Sequence, residues 1–371
     1  MIPVTKAYLP PIDKYKKYVD RIYESGWLTN NGFLVQELEQ RLKEHLGVKN
    51  LILVANGSLA LQLAYKAMKL KGEVITTPFS FIATTSTLVW EGLTPIFADI
   101  NKETFNIVPE LIEQKITSET SAILPVHVFG NACEVEKIQA IADKHKLKVI
   151  YDAAHAFGIR YNNKSIFNYG DISTVSFHAT KLFHSIEGGA VITNDDDVAD
   201  KVRELINFGI VSSDRIGDVG TNAKMNEFEA AMGLCVLDDI DYITEQQRKL
   251  IEIYKSELNG FVDFQITNSK STESVSYMPV LLKNEKQVLD ILEKLKLINV
   301  HPRRYFHPSL DTIKYLQPQV SCDCSRDISS RILCLPLYTS LSEMQVVVIS
   351  KIIKESISVG LNNVELEKDI A

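Results

Sequence analysis

Short apolar runs alternate with amphipathic stretches between residues 35 and 207. Runs of about four to eight apolar residues between turn residues predict buried strands, and apolar positions three or four apart predict helices. Because strand and helix alternate, we expect a mostly parallel sheet covered by helices on both faces. The predicted strands are 51–55, 73–76, 95–99, 122–128, 148–151, 172–177 and 190–193, and the predicted helices are 35–45, 59–65, 84–90, 134–145 and 195–207, with another opening at 108–110.

A second, smaller α/β unit follows from about residue 260. The length of 371 residues suggests two domains, and a long helical pattern over 227–258 leads from one to the other. We predict a large domain over 1–245, which includes an N-terminal arm with a helix at 13–25, and a small C-terminal domain over 246–371. The elements predicted in the small domain are strands at 274–282 and 332–337 and helices at 285–296 and 342–358.

Composition and charge exclude several classes of protein. The chain is 45% hydrophobic and 23% charged, which is typical of globular proteins, and its net charge of −7 without a Lys/Arg block disfavours nucleic acid as a partner. We expect no signal peptide and no membrane span, since no apolar run approaches about 18 residues. The five cysteines match no zinc pattern, so we expect no metal site and reduced thiols in a cytoplasmic protein.

The segment 176–189 lies between two predicted buried strands but is too polar to be a core strand. We expect a loop at a strand end with Lys181 at its centre. Partial burial there would lower the pKa of the amine and free it to form a Schiff base. A solvated surface charge is the commoner role of a loop lysine and remains the alternative.

A tight turn, Asn56-Gly57-Ser58, joins a predicted strand to a predicted helix. The first backbone N–H groups of a helix are unpaired and lie at the positive end of its dipole, so this turn is a candidate phosphate site. The alternative is that Ser58 is an ordinary helix N-cap.

Two further candidates follow strand ends, where ligands gather in open α/β sheets. Phe81 is placed to stack on a flat ring, although an ordinary core position is equally consistent. Asp152 ends a buried strand, where a carboxylate is costly unless it is paired. A protonated ring nitrogen is one suitable partner, and a helix N-cap role is the alternative.

A basic and aromatic loop lies at 301–308 in the predicted small domain. Its neighbouring Arg303 and Arg304 suit bidentate contacts to phosphate. A solvated basic loop is equally consistent with the sequence.

A phosphate site, a stacking ring, a strand-end carboxylate and a loop lysine are together what pyridoxal 5′-phosphate requires. No Gly-x-Gly-x-x-Gly follows a predicted strand, which disfavours a nicotinamide enzyme. The chain resembles the DegT/DnrJ/EryC1/StrS family of sugar aminotransferases over nearly its whole length. The motifs that carry this resemblance are 56–61 (NGSLAL), 78–84 (PFSFIAT), 152–158 (DAAHAFG), 176–181 (SFHATK), 187–189 (EGG) and 220–225 (GTNAKM).

The resemblance implies a fold type I pyridoxal phosphate enzyme, which is an α/β protein with a mostly parallel seven-stranded sheet in its large domain and a smaller C-terminal α/β domain. It implies that Lys181 carries the Schiff base and shuttles the proton, and that Asp152 pairs with the pyridine nitrogen. Phe81 would stack on the ring. Gly57, Ser58 and Ser176 would hold the phosphate.

The resemblance assigns three further positions. His155 stands where many members carry Gln, near the phenolic oxygen of the cofactor. Asn222 matches a residue that reaches the phosphate from the neighbouring subunit, which implies a homodimer with shared active sites. Lys224 stands where Arg is common, so a direct contact from it is not assigned.

Within the family, the run 27–32 and the segments around Lys181 look most like transaminases acting on nucleotide-linked 4-keto-6-deoxyhexoses. The implied substrates are L-glutamate and dTDP-4-keto-6-deoxyglucose, with pyridoxamine 5′-phosphate as the intermediate form of the cofactor. The implied product is a 4-amino-4,6-dideoxyhexose for O-antigen and lipopolysaccharide synthesis. The alternatives are a C3-specific aminotransferase, a sugar dehydratase of the same fold, in which His stands in place of Lys181, and a non-catalytic binding protein.

Overall fold

The computed structural model describes residues 1–316 and 320–368. Its helices and strands lie close to the predicted ones. The strands are β1 (Ile2–Pro3), β2 (Asn50–Val54), β3 (Glu73–Thr76), β4 (Thr94–Phe97), β5 (Thr120–Leu124), β6 (Lys148–Asp152), β7 (Arg160–Tyr161), β8 (Lys164–Ser165), β9 (Ile172–Ser176), β10 (Gly189–Thr193), β11 (Ile210–Ser212), β12 (Arg215–Ile216), β13 (Asp263–Phe264), β14 (Met278–Leu281), β15 (Val300–His301) and β16 (Ile332–Leu335). The α-helices are α1 (Ile12–Ser25), α2 (Phe33–Leu46), α3 (Gly57–Ala67), α4 (Ala83–Trp90), α5 (Pro109–Glu113), α6 (Val135–His145), α7 (Asp196–Leu205), α8 (Glu227–Asp238), α9 (Ile240–Leu258), α10 (Glu285–Leu297), α11 (Asp323–Arg331) and α12 (Glu343–Lys368).

The largest sheet within the described residues has seven strands in the order β2-β10-β9-β6-β5-β3-β4. Strand β10 is antiparallel to both of its neighbours, and the other pairs are parallel. Successive residues of β2 belong to two different apolar clusters. Leu51 and Leu53 lie in one cluster, and Ile52 and Val54 lie in the other. Because neighbouring side chains of a strand point to opposite faces, the sheet is covered on both sides. The expected fold class is confirmed.

A smaller antiparallel sheet, β13-β14-β16, lies in the C-terminal part of the chain, where helix α12 packs on both α9 and α10. Helix α9 runs without a break across the predicted domain boundary at residue 245. The division into 1–245 and 246–371 therefore stays a prediction, and residues 369–371 at its end lie outside the described part of the chain.

Four predicted elements are wrong in extent, one of them the helix predicted over 342–358, which continues to Lys368 as α12. The strand predicted over 122–128 ends as β5 at Leu124, because Pro125 has no N–H to continue a ladder. The helix predicted over 227–258 is divided into α8 and α9 at Asp239, whose carboxylate accepts hydrogen bonds from Tyr8 and Lys14 of the N-terminal arm. The strand predicted over 274–282 is confined to β14, because serine hydroxyls bond to the backbone before it begins.

All five cysteines are free. Over 1–316 and 320–368 we find no helix with the length and apolarity needed to span a bilayer. The same residues contain no cluster of three His, Cys, Asp or Glu side chains suited to a metal ion.

Candidate active site

The predicted site residues follow strands of the large sheet at one edge. Asp152 is the last residue of β6, the central strand, and Lys181 follows the end of the neighbouring β9. The turn at Gly57 follows β2, and Phe81 follows β3. Because these four strands run parallel, their carboxyl ends share one edge, which is where ligands bind in open α/β sheets.

The carboxylate of Asp152 is buried and is held by two neutral donors. Its Oδ2 accepts a hydrogen bond from Thr84 Oγ1 at 2.7 Å, and its Oδ1 accepts from the backbone N–H of Ala154 at 3.2 Å. Burial raises the pKa of Asp152, and the two hydrogen bonds and nearby Lys181 oppose this rise. A turn and not a helix follows Asp152, so the alternative role is right in the turn, which Asp152 caps through Ala154, and wrong in the helix. A bound cation would supply the charge partner that this carboxylate lacks among its hydrogen-bond donors.

The amine of Lys181 is partly buried and is oriented by a tyrosine. Its Nζ donates a hydrogen bond to the hydroxyl of Tyr277 at 3.0 Å. Burial lowers the pKa of Lys181 to about 8, although the charge of Asp152 acts in the opposite direction. Lys181 is therefore not a solvated surface lysine, and a useful fraction of it is a neutral, nucleophilic amine near neutral pH.

The turn before α3 brings the start of the helix close to Ser176. Asn56 caps the helix by accepting a hydrogen bond from Leu59 N–H at 2.9 Å, so the alternative that Ser58 is the N-cap is wrong. The N–H groups of Gly57 and Ser58 have no intrahelical partner. A Cβ on Gly57 would lie 2.8 Å from that of Ser176, so only glycine allows this close approach. The unpaired amides of this turn and the hydroxyl of Ser176 therefore lie close together, a combination of donors that suits a phosphate.

Phe81 and Phe79 differ sharply in exposure. Phe79 is fully buried in an aromatic cluster, whereas 56% of Phe81 is exposed, just before α4 begins. The alternative that Phe81 is a core residue is therefore wrong. Its ring is available to stack on a planar ligand beside the sheet edge.

His155 lies among aromatic rings, and a hydrogen bond to its ring fixes its tautomer. Its ring is nearly parallel to those of Phe129 and Phe306, with interplanar angles of 12° and 5°, and Tyr277 meets its edge. Its Nδ1 accepts a hydrogen bond from the backbone N–H of Phe129 at 3.3 Å. Burial lowers the pKa of His155 well below its ordinary value. The ring is therefore neutral and carries its proton on Nε2, which makes Nε2 a donor.

Three site residues were missed by sequence reasoning. Thr84 lies inside the quoted motif 78–84, so a search for donors to Asp152 could have found it. Tyr277 is 96 residues from Lys181 in the chain, and Tyr305 lies in the basic loop. Neither tyrosine has a local sequence pattern that indicates its place beside the lysine.

Asn222 and Lys224 lie apart from these contacts. The side chain of Asn222 is exposed and forms no hydrogen bond among the described residues. Lys224 Nζ donates to Asn207 Oδ1 at 2.9 Å and lies over the ring of Phe208. The carbonyl of Ala223, between them, accepts from Ala55 N–H and so holds this loop against the end of β2.

The residues at the sheet edge fit each part of pyridoxal phosphate. The unpaired helix amides suit the phosphate of the cofactor, and the exposed ring of Phe81 suits the face of its pyridine ring. Asp152 suits the ring nitrogen, and Lys181 suits the aldehyde. The fold and the site together define the class: this is a pyridoxal phosphate enzyme of fold type I.

Comparison with known proteins identifies the family. The sequence model of the DegT/DnrJ/EryC1/StrS aminotransferase family matches residues 12–354, and the chain belongs to this family. The protein is therefore a sugar aminotransferase that uses pyridoxal 5′-phosphate, as the resemblance implied.

Individual relatives agree with this assignment over most of their length. The chain is 40% identical to the dTDP-4-amino-4,6-dideoxy-D-glucose transaminase of Shigella dysenteriae, over 91% of this chain and 94% of that one. It is 38% identical to the Escherichia coli protein of the same name, over 95% and 98% of the two chains. The crystal structure of DesI in the presence of its TDP-sugar product superposes with a TM-score of 0.93 at 32% identity, and covers 99% of this chain and 95% of that one.

Proposed function

We propose that this protein transfers the amino group of L-glutamate to C4 of a dTDP-linked 4-keto-6-deoxyhexose. The product would be a dTDP-linked 4-amino-4,6-dideoxyhexose. The observation that carries this proposal is the partly buried Lys181 amine, held by Tyr277 at the same sheet edge as the buried carboxylate of Asp152. The names of the Shigella and Escherichia coli relatives support the choice of sugar and nucleotide.

We assign Lys181 the proton transfer. When bound, pyridoxal phosphate supplies an electron sink for the carbanion left when the donor loses its α-proton. The neutral Nζ of Lys181 would take that proton and return it at the neighbouring carbon. Tyr277, which accepts a hydrogen bond from Nζ, keeps the amine at one position between these steps.

The other residues would hold the cofactor. Asp152 would keep the pyridine nitrogen protonated, and Thr84 would fix the carboxylate in place through its hydrogen bond. His155 would donate its Nε2 proton to the phenolic oxygen. Phe81 would cover one face of the ring, and the phosphate would accept from the amides of Gly57 and Ser58 and the hydroxyl of Ser176.

We further propose a homodimer in which Asn222 completes the phosphate site of the neighbouring subunit. Its exposed amide, which has no hydrogen bond within the described residues, supports this role. The biosynthetic setting, O-antigen and lipopolysaccharide synthesis in the cytoplasm, also stays a proposal, and it rests on the sequence resemblance.

Product analysis tests the proposed reaction. The protein, L-glutamate and dTDP-4-keto-6-deoxyglucose should give a nucleotide sugar whose NMR spectrum places the amine on C4. With ¹⁵N-labelled glutamate, the label should appear in the sugar. An amine on C3 of an isomeric keto-sugar, or loss of a sugar hydroxyl without amination, would reject the proposal in favour of the other two activities.

A further inference from the structure

Neighbouring arginines in the loop between β15 and α11 have different surroundings. Arg304 donates through Nη2 to the carboxylate of Glu285 at 2.7 Å and to the carbonyl of Ser330 at 2.9 Å. These contacts join the loop to α10 and to the end of α11. The guanidinium of Arg304 is therefore already used within the fold.

Arg303 is fixed by its backbone but open at its side chain. Its N–H donates to the carbonyl of Cys334 at 3.1 Å, and Cys334 N–H donates back at 2.7 Å. The side chain is exposed, and no Asp or Glu of the described residues lies within ion-pair distance of it. The position of the residue is thus set by β16, while its guanidinium approaches the hydroxyl of Tyr305 and has no carboxylate partner among the described residues.

A cavity of about 560 Å³ connects Arg303 to the sheet edge. Phe81 lines one side, and the loop with Arg303 and Tyr305 lines another. Among the described residues that line the cavity, none is acidic. Its size is that of a small-molecule site, and its charge favours an anion.

Two tyrosines link Arg303 to Lys181. The Tyr277 hydroxyl accepts from Lys181 Nζ, and the rings of Tyr277 and Tyr305 meet edge to face at 6.2 Å between centroids. Burial raises the pKa of Tyr305, and the adjacent Arg303 opposes this rise. Arg303 is therefore next to Tyr305, whose ring packs against the tyrosine that contacts the reactive amine.

We propose that Arg303, and not Arg304, binds an oxyanion of a substrate. This inference rests on the proposed function and adds a residue for substrate recognition to it. Two substrate groups share the required chemistry, namely the α-carboxylate of L-glutamate and the diphosphate of the sugar nucleotide. Each presents oxygen pairs that a guanidinium contacts with two parallel hydrogen bonds.

Two titrations on Arg303→Gln, Arg303→Lys and the wild type distinguish which of the two substrate groups Arg303 binds. The first follows the absorbance change of the pyridoxal phosphate enzyme against L-glutamate concentration. The second is calorimetry with dTDP, which carries the diphosphate but no sugar and needs no turnover. Lys351→Gln is the charge-matched control, because Lys351 is exposed on α12 and its side chain is 72% accessible.

We expect Arg303→Gln to weaken one of the two ligands by about tenfold or more, and Arg303→Lys to weaken it less, because lysine keeps the charge but not the paired donors. If only the affinity for glutamate falls, Arg303 binds the α-carboxylate. If only the affinity for dTDP falls, Arg303 binds the diphosphate. The Lys351 control should match the wild type in both titrations.

Wild-type affinity of Arg303→Gln for both ligands would overturn the proposal, as would an equal loss in the Lys351 control. A thermal unfolding midpoint equal to that of the wild type excludes misfolding as the cause of any loss. If the wild-type enzyme ignores glutamate, the proposed function fails. The dTDP titration then judges Arg303 by itself, and unchanged dTDP affinity in Arg303→Gln rejects its role.

Discussion

The two halves of the candidate site differ in how far their side chains are already fixed by contacts within the chain. The side chains of Asp152, Lys181 and His155 each form a hydrogen bond within the chain, and each is wholly or partly buried. On the other side, Ser58 and Phe81 are exposed. The groups that would perform chemistry are thus preorganised, and those that would bind phosphate and ring are left open for the ligand.

This difference orders the expected effects of substitution. Changes on the preorganised side should reduce the rate of the chemical step, because the lost interaction acts on the developing charge or the moving proton. Changes on the open side should reduce the affinity for pyridoxal phosphate and leave the rate at saturating cofactor largely intact.

The largest effect is expected for Lys181→Ala. It removes both the Schiff-base amine and the base, so turnover should fall by more than about 10³-fold. Steady-state amination of the keto-sugar nucleotide measures this. Lys164→Ala, an exposed lysine on β8, is the control and should retain full activity. Substantial turnover by the Lys181 variant would remove this residue from the mechanism.

Asp152→Asn should lower kcat by about 10² to 10³-fold, since the charge that holds the ring nitrogen protonated is lost while the shape is kept. Thr84→Val removes one hydrogen bond to the carboxylate and should lower kcat about tenfold. Measuring kcat at saturating pyridoxal phosphate separates chemistry from binding. An unchanged kcat in the Asp152 variant would contradict its role.

Asn222→Ala should weaken pyridoxal phosphate binding by about tenfold, the loss expected for one hydrogen bond to a charged group, without a matching fall in kcat. Fluorescence titration of the cofactor measures the affinity. Wild-type affinity in the variant would remove Asn222 from the phosphate site.

Mixing Lys181→Ala chains with Asn222→Ala chains tests whether Asn222 acts across the interface. A mixed dimer then contains one site with both residues intact, so activity should return at limiting cofactor. If Asn222 served its own chain, no site would have both residues, and activity at limiting cofactor would not exceed that expected from the Asn222→Ala chains in the mixture.

The smallest effect is a shift in pH dependence. Because the pKa of Lys181 is lowered to about 8, the rate of pyridoxal phosphate capture by the apoprotein should rise with pH and level off above about pH 8. The charge of Asp152 raises the pKa of Lys181, so the midpoint in Asp152→Asn should lie at lower pH. Stopped-flow absorbance measures this rate, and a shift to higher pH would contradict the geometry.

The sheet edge could be predicted from sequence because strand ends are local signals. Asp152 and Lys181 each follow an apolar run, and parallel strands bring such ends together whatever lies between them. The tight turn at Gly57 was predictable for the same reason. The conformation of Asn56 as the N-cap was not, since asparagine and serine are both good caps and stand two residues apart.

Contacts between distant parts of the chain could not be predicted. Tyr277, just before β14, meets Lys181 across a separation of 96 residues, and nothing near residue 277 indicates this contact. At the break between α8 and α9, Asp239 is contacted by Tyr8 and Lys14 of the arm, which lie more than 200 residues away in the chain. The contrast between Arg303 and Arg304 likewise depends on which of them reaches Glu285.

The central claim is that Lys181, set beside Asp152 and Tyr277, forms a Schiff base with pyridoxal phosphate and gives it up to L-glutamate. The visible absorbance of the purified protein with pyridoxal phosphate, before and after L-glutamate, tests this most directly. We predict a Schiff-base band that bleaches with glutamate and is absent in Lys181→Ala. A band that persists with glutamate, or that survives the loss of Lys181, would contradict the account.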